Sequence, residues 1–538
     1  MTATEMDALA APAGDGDVFV WPDGKALTDV AARNRDARAK ISYKLLDIPA
    51  SELPGVDVSG PLIVAAGHQP GFIHPGVWVK SAAVSALAAR LGGRAEYWVV
   101  DSDAVHRTAL AWPVVDEGFV SVRSIAPFAD SQASWAFESL PAHDATAWTA
   151  FHDRVPAPWR AVEATAFSSW IKSFEAIGSG PVAYARRWRA GIEAMDAVAG
   201  IDSPSYRLVS DEFNVCSASA SLRGACFVGH LVGHAAQTAQ AYNAALAAYR
   251  ARRGIAGTQH PIPDLLIEGS RVEAPLWAVG DDQPRQRVYV SISSGGDLTL
   301  WADGLRLGTV PIGRLRTQPG AALCDLAAGW RLRPRALALT MYLRLLACDV
   351  FIHGIGGAKY DQITDDVIRR LFGIEPPGYS CVTATLRLPL PRFDVSPLDL
   401  DRVHREGRDR RFNPQRWASN DFSANSRVVA ALLDERQRAI DASIRLRDES
   451  PRRRSERRAQ YEAIHRTNEE LVRALGLMKS SQVDGSGAHG LGAQTLNRLK
   501  RELESNRVAQ NREWFVGLHT IDRLRALAAR AVEMAQRK

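Results

Sequence analysis

The chain is short of cysteine and of long apolar runs, and each shortage removes a class of protein. Five cysteines, Cys216, Cys226, Cys324, Cys348 and Cys381, are scattered over 538 residues with no C-x-x-C pair. An odd, dispersed set argues against a disulfide framework and against a structural zinc site built on thiolates. They read as reduced, buried thiols of a cytoplasmic protein. No run approaches the ~20 apolar residues that span a bilayer, so no membrane partner is expected. The opening residues, MTATEMDALAAPAGDGD, lack the basic and apolar regions of a signal peptide and read as a frayed start. Arginine far outnumbers lysine, yet the net charge is only +6, so nucleic acid is not an expected partner either.

What remains is an ordinary globular composition, 46% hydrophobic, in a chain long enough for about three domains. Two strand-to-helix junctions stand out. The apolar run Leu62–Ala66 ends in Gly67-His68-Gln69-Pro70-Gly71-Phe72-Ile73-His74-Pro75-Gly76, followed by a helical pattern over Val77–Leu91 that carries Lys80. The next strand, Tyr97–Val100, ends in Asp101-Ser102-Asp103, with His106 close behind. A buried strand emptying into a glycine- and histidine-rich turn is how α/β enzymes place phosphate-binding amides and proton-transfer groups at one sheet edge.

A third junction comes almost 280 residues later. The strand Asp349–Ile352 opens into His353-Gly354-Ile355-Gly356-Gly357-Ala358-Lys359-Tyr360-Asp361, read as a glycine-rich loop before a helix over Thr364–Phe372. It lacks the G-K-[ST] of a phosphate-binding loop and the G-x-G-x-x-G spacing of a dinucleotide fold. Further strands are expected at 264–268, 276–279, 287–292 and 298–301, with a hairpin turn at Gly295-Gly296-Asp297. Helices are expected over Gly229–Arg253 and 335–348, and a tryptophan-rich helical insertion around Trp135, Trp148, Trp159, Trp170 and Trp188. Arginine- and glutamate-rich helices over 422–448, 452–478 and 493–510, with a flexible connection at 480–492, suggest a helical hairpin or coiled-coil arm. The segment 511–528 is apolar again and is expected to dock on the body. The resulting division is a lead-in over 1–60, a first core part over 61–115, a mainly helical insertion over 116–260, a second core part over 261–397, and the arm with its docking segment over 398–538.

Each cluster has a plainer structural reading. His74 can cap or pack, Asp101 can cap a helix, and the glycines after His353 can simply make a tight turn. His230 and His234, spaced i, i+4, sit in an alanine- and valine-rich helix with no acid nearby and read as core.

Three stretches carry a resemblance. G-H-Q-P-G-F at 67–72 with Pro75-Gly76 and Lys80, WVVDSDAVH at 98–106, and RPRALALTMYLRLLACDVFIHGIGGAKY at 333–360 are similar to segments of the cysteine-adding enzymes of bacillithiol synthesis. Here His68 replaces that family's first glutamine, its acidic run is reduced to Asp101 and Asp103, and its G-G-P-G-E stretch becomes His353-Gly354-Ile355-Gly356-Gly357. The resemblance implies an α/β fold with a Rossmann-like core of the nucleotidyltransferase type, an inserted helical domain and a helical coiled-coil arm. It implies a C–N bond-forming, ligase-like reaction that couples an amino acid, cysteine by resemblance, to the amine of a small molecule.

In that reading His68, Asp103, His106 and His353 carry the chemistry. Gly67, Gln69, Gly71, His74, Gly76, Lys80, Asp101, Gly354, Gly356, Gly357, Lys359, Tyr360 and Asp361 bind substrate or nucleotide. ATP is the candidate cofactor, no metal is expected, and the arm offers a homodimer contact. Two other classes fit the residues: a metal-dependent hydrolase or transferase using His68, His74, Asp103, His106 and His353, and a non-catalytic coiled-coil scaffold for protein or RNA.

Overall fold

Two compact units share the chain in a computed structural model. The first comprises residues 1–112, 123–388 and 512–538, and the second residues 113–122 and 389–511. The structure describes all residues except 1–2, 41–43, 50–51, 54–58, 107, 141–149, 152, 157–158, 160–165, 178–182, 218–220, 419–425, 450–452, 478–489 and 538.

The first unit is built on a six-stranded sheet of β1 (Val18–Trp21), β2 (Ile63–His68), β3 (Arg94–Val99), β4 (Ser205–Leu208), β5 (Val350–His353) and β6 (Ser380–Ala384), ordered β1-β6-β5-β2-β3-β4. All are parallel except β1, which pairs antiparallel with β6. Strands buried on both faces read as unbroken apolar runs, and β2 meets that condition with Val64, Ala65 and Ala66 fully buried. Helix α1 (Pro75–Arg90) joins β2 to β3. It is apolar nearly all round and accordingly buried along most of its length.

From β2 the chain leaves through α1 toward β3 on one side. From β5 it leaves through α6 (Ile355–Phe372) toward β6 on the other. The carboxyl ends of β2 and β5 therefore lie side by side while their connections diverge, which is the switch point where open parallel sheets form crevices. In order between them come α2 (Tyr184–Ala199), α3 (Leu222–Gly233), α4 (Ala235–Arg253) and α5 (Ala336–Tyr342).

Several local expectations change. The lead-in supplies the edge strand β1, and the stretch read as a helical insertion supplies β4 at the opposite edge. Both are only four residues long, too short for a period to register. The helix expected over Gly229–Arg253 is two helices, α3 and α4, meeting at His234. The stretch 355–361, read as loop, is already the start of α6, so Lys359, Tyr360 and Asp361 stand on its first two turns. The helix expected over 335–348 is α5 continued by a π-helical turn, Leu343–Ala347. Trp148 lies outside the described residues, whereas Trp170 and Trp188 are completely buried.

The expected strands of residues 264–301 form a separate antiparallel sheet. Its strand order is 305–311, 297–302, 286–292, 271–279, 331–334, with 267–268 paired on 271–279. Its hairpin at Gly295-Gly296 turns through left-handed backbone at Gly296 (φ 84°). Beneath it, Cys216 and Cys324 are joined in a disulfide, which overturns the reading of five free thiols. A separation of 108 residues left no spacing signal for that pair. The other three cysteines form no disulfide and are buried.

The docking segment is part of the first unit. Trp514, Phe515, Val516 and Leu518 are buried, and α11 (Ile521–Gln536) packs on α1 and β1. The second unit contains α7 (Pro397–Phe412), α8 (Ser426–Glu449), α9 (Arg454–Ala474) and α10 (Gly490–Gln510). Helices α8 and α9 pack through Val429, Leu471 and Leu475, and Arg436 Nε donates to Asn468 Oδ1 at 2.6 Å. Residues 480–489 of the expected connection lie outside the described residues. No helix among the described residues is long and apolar enough to cross a membrane.

Candidate functional site

The pairing of β5 with β2, Val350 with Val64 through Ile352 with Ala66, brings two distant segments together. One residue further along each strand stand His353 and Gly67. The turn after β2 and the first turn of α6 thus share one stretch of the sheet's carboxyl edge.

On the β2 side, His68 is half-buried and its Nδ1 lies 3.0 Å from the Gln69 carbonyl. A carbonyl can only accept, so Nδ1 carries the proton and Nε2 is left as the acceptor. Burial, then the Lys80 charge, pushes the His68 pKa down to about 3, so the ring is neutral. Lys80 itself is buried, donates to the Gly67 carbonyl at 2.6 Å, and has its ammonium pushed down to about 8 by burial. His74 is the N-cap of α1: its Nδ1 accepts from the Gly76 amide at 3.1 Å. Burial, then Arg512 and Lys80, pushes it down to about 4, which fits an accepting nitrogen.

The glycines divide by role. A Cβ on Gly67 would stand 2.8 Å from the Trp98 carbonyl, and one on Gly76 2.6 Å from the Ala384 carbonyl. Both are packing glycines. Gly71 would meet nothing within 4 Å, and its carbonyl accepts from Trp188 Nε1 at 2.7 Å. Gln69 is exposed beside it.

On the β5 side, His353 is buried and its Nε2 hydrogen-bonds Asp361 Oδ2 at 2.9 Å. The same oxygen accepts from Arg344 Nη1 at 2.6 Å, and Arg344 Nη2 reaches Asp365 at 2.7 Å. Burial alone would raise the Asp361 pKa, but Arg344 and then His353 outweigh it and hold the carboxyl below its usual range. The other ring nitrogen of His353, Nδ1, faces the first turn of α6, where a Cβ on Gly357 would stand 2.9 Å away. Cβ atoms on Gly354 or Gly356 would meet nothing within 4 Å. The opening turn of this 18-residue helix has no side-chain cap from Gly354, and its first amides stand at the positive end of the helix dipole. Lys359 is half-buried, and its charge, like that of Lys80, bears on the buried Cys381 thiol, which burial pushes up to about 12. Tyr360 is exposed.

The residues after β3 are engaged elsewhere. Asp101 is buried and accepts from the Ser210 amide at 2.9 Å and the Ser210 hydroxyl at 2.5 Å. It thereby caps the short helix Val209–Glu212, and burial, then Glu138, pushes its pKa up to about 7. Asp103 pairs with Arg285 at 3.2 Å. His106 is exposed, in left-handed backbone (φ 49°), and its amide donates to the Ala133 carbonyl at 2.7 Å. Among the described residues no group of three or more His, Cys, Asp and Glu comes together in a way that could hold a metal ion.

Three contributors were not singled out in the sequence. Arg344 carried a signal, a lone charge inside LTMYLRLLAC. Cys381 and Arg512 carried none, because both reach this edge only through folding. Arg512 Nη1 donates to the Ala384 carbonyl at 2.9 Å, beside the start of α1. No family model matches the chain, and no curated protein matches it in sequence.

Proposed function

We propose that the chain is a C–N bond-forming, ligase-like enzyme that couples an amino acid to the amine of a small molecule, with the edge between β2 and β5 as its active site. The observation that carries the reading is the register of β5 on β2, which puts a neutral histidine beside an uncapped, open helix start. The parallel run with its switch point is consistent with the Rossmann-like, nucleotidyltransferase-type core that the resemblance implies, and cysteine is the amino acid that resemblance points to.

ATP suits this edge in one respect: the open backbone at Gly354 and Gly356 leaves room for phosphate oxygens against the first amides of α6. When bound, the nucleotide would supply activation of the carboxyl group. The chain's own groups do the rest. The α6 amides hold an oxyanion, and donors of that kind are worth about 10²–10³ in rate each. Lys80 and Lys359 add positive charge. His68 Nε2, the free acceptor, takes a proton from the incoming ammonium and so frees the amine lone pair that attacks. A pKa near 3 makes it a weak base alone, but an anion at the α6 start favours its charged form and raises its basicity. Asp361, charged and held by Arg344, fixes His353 and the end of β5 against α6, a positioning role. Asp101 and Asp103, expected to hold the ammonium, are already committed to Ser210 and Arg285.

Thermal-shift measurements with ATP, other nucleotides and the common amino acids, singly and paired, test this directly. ATP with cysteine is expected to raise Tm more than either alone. His68→Ala is expected to keep that shift while lowering turnover about 10²–10⁴-fold, the range of lost general-base catalysis. No shift with any nucleotide and amino acid, or full turnover in His68→Ala, would sink the assignment.

A further inference from the structure

A cavity in the first unit, about 620 Å3 in volume, runs beside the later turns of α6. That is a common size for a small-molecule site. Asp366, on its wall, lies ten residues beyond Gly356, roughly 15 Å along the helix axis at 1.5 Å per residue. The cavity is separate from the open start of α6.

Flat, apolar surface comes from Trp21, Tyr379 and Pro377. The cations are Arg33, Arg252, Arg344 and Arg369, and three of them are matched. Arg344 pairs with Asp361 and Asp365, both through contacts under 3 Å. Arg252 faces Asp366 at 3.4 Å, and Arg369 holds Glu375 at 3.2 Å. Arg33, exposed at the cavity, has no ion-pair partner among the described residues. Arg344 also stands on the wall, but its side chain is only 1% exposed and its guanidinium is taken up by Asp361, Asp365 and the Pro377 carbonyl. One unmatched cation, Arg33, set among planar apolar walls suits a ligand with an acidic group on a flat ring.

We propose that this cavity binds a small aromatic anion, its ring on Trp21 and Tyr379 and its carboxylate or phosphate toward Arg33. The site stands independently of the reading of the β2–β5 edge. Arg344, on its wall, also holds the Asp361 that bonds His353.

Isothermal titration calorimetry on the full chain, with benzoate and phenyl phosphate as probes and acetate and inorganic phosphate as ringless controls, tests it. One of the ring compounds is expected to bind with one-to-one stoichiometry and at least tenfold more tightly than its ringless control. Whichever binds better identifies the acidic group. Arg33→Glu, an exposed change that leaves the fold alone, is expected to weaken it at least tenfold, and Lys359→Ala is expected to leave it unchanged. The proposal fails if neither ring compound binds, if Arg33→Glu leaves affinity unaltered, or if Lys359→Ala weakens binding as much, which would put the anion at the α6 start.

Discussion

Buried histidines held neutral make the fold sensitive to acid. His519 is 1% exposed, and neither of its ring nitrogens has a hydrogen-bond partner. Burial, then the Arg523 charge, pushes its pKa down from 6.5 to about 3. Because the unfolded chain takes up this proton near pH 6.5 and the folded one does not, stability is full above pH 6.5 and falls as pH drops toward 3. The loss is about 1.4 kcal/mol per pH unit for this one group. His519→Leu, which removes the titration, is therefore expected to shrink the stability difference between pH 6.5 and pH 5 by about 2 kcal/mol in urea unfolding. An unchanged pH profile would mean that the ring protonates freely in the fold. Gly67 and Gly76 teach a related lesson at this scale. The same residue type that reads as phosphate-binding in a turn is here required because a neighbouring carbonyl leaves no room for a Cβ.

At the scale of elements, α6 is held to β5 by charge as much as by apolar packing. Arg344 enters from the π-helical turn, fully buried, and is met by Asp361 and Asp365 on successive turns of α6. Removing one partner of a buried pair strands the other charge. Asp361→Ala is accordingly expected to cost about 3–5 kcal/mol in denaturant unfolding. Glu504→Ala, which breaks the exposed pair with Arg507 at 2.7 Å, is expected to cost no more than about 1 kcal/mol. Equal costs for the two variants would remove the claim that this network anchors the helix. The reading of 353–361 as a loop failed at this same element. Three glycines suppress the apolar period, yet Ala358, Asp361, Ile363, Thr364, Val367 and Ile368 form its buried face, and the charged one, Asp361, is held by Arg344 and His353.

Across the whole molecule, the first unit is assembled from segments far apart in the chain. Its sheet takes strands from residues 18–21, 63–99, 205–208 and 350–384, and its last helix comes from the C-terminal residues after the second unit. The Val516 amide donates to the Ile73 carbonyl at 2.8 Å, and the Phe72 ring sits 5.3 Å from that of Phe515. The candidate turn after β2 is therefore held by residues some 440 positions later. A chain ending at Asn511 would expose Trp514's partners, and it is expected to lose the cooperative thermal transition of the first unit. Calorimetry or near-ultraviolet circular dichroism would show it. A truncated chain that melts like the full one would refute the docking role.

Local chemistry alone determined a good deal. The unbroken apolar runs of β2 and β5, the alanine-rich α1, the hairpin at Gly295-Gly296 and the capping box at the start of α7 follow from period, propensity and turn residues that neighbours along the chain supply. The two junctions worth watching, after β2 and after β5, were also legible, because strand, glycine and histidine follow each other in sequence. Tertiary structure alone decided which of those residues face the site. Lateral strand order set β5 beside β2 rather than beside β3, and hydrogen-bond partners from other elements drew Asp101 to Ser210 and Asp103 to Arg285. The Cys216–Cys324 bond and the short edge strands β1 and β4 belong to the same class. Each depends on contacts between residues a hundred or more positions apart, which leave no period in the sequence.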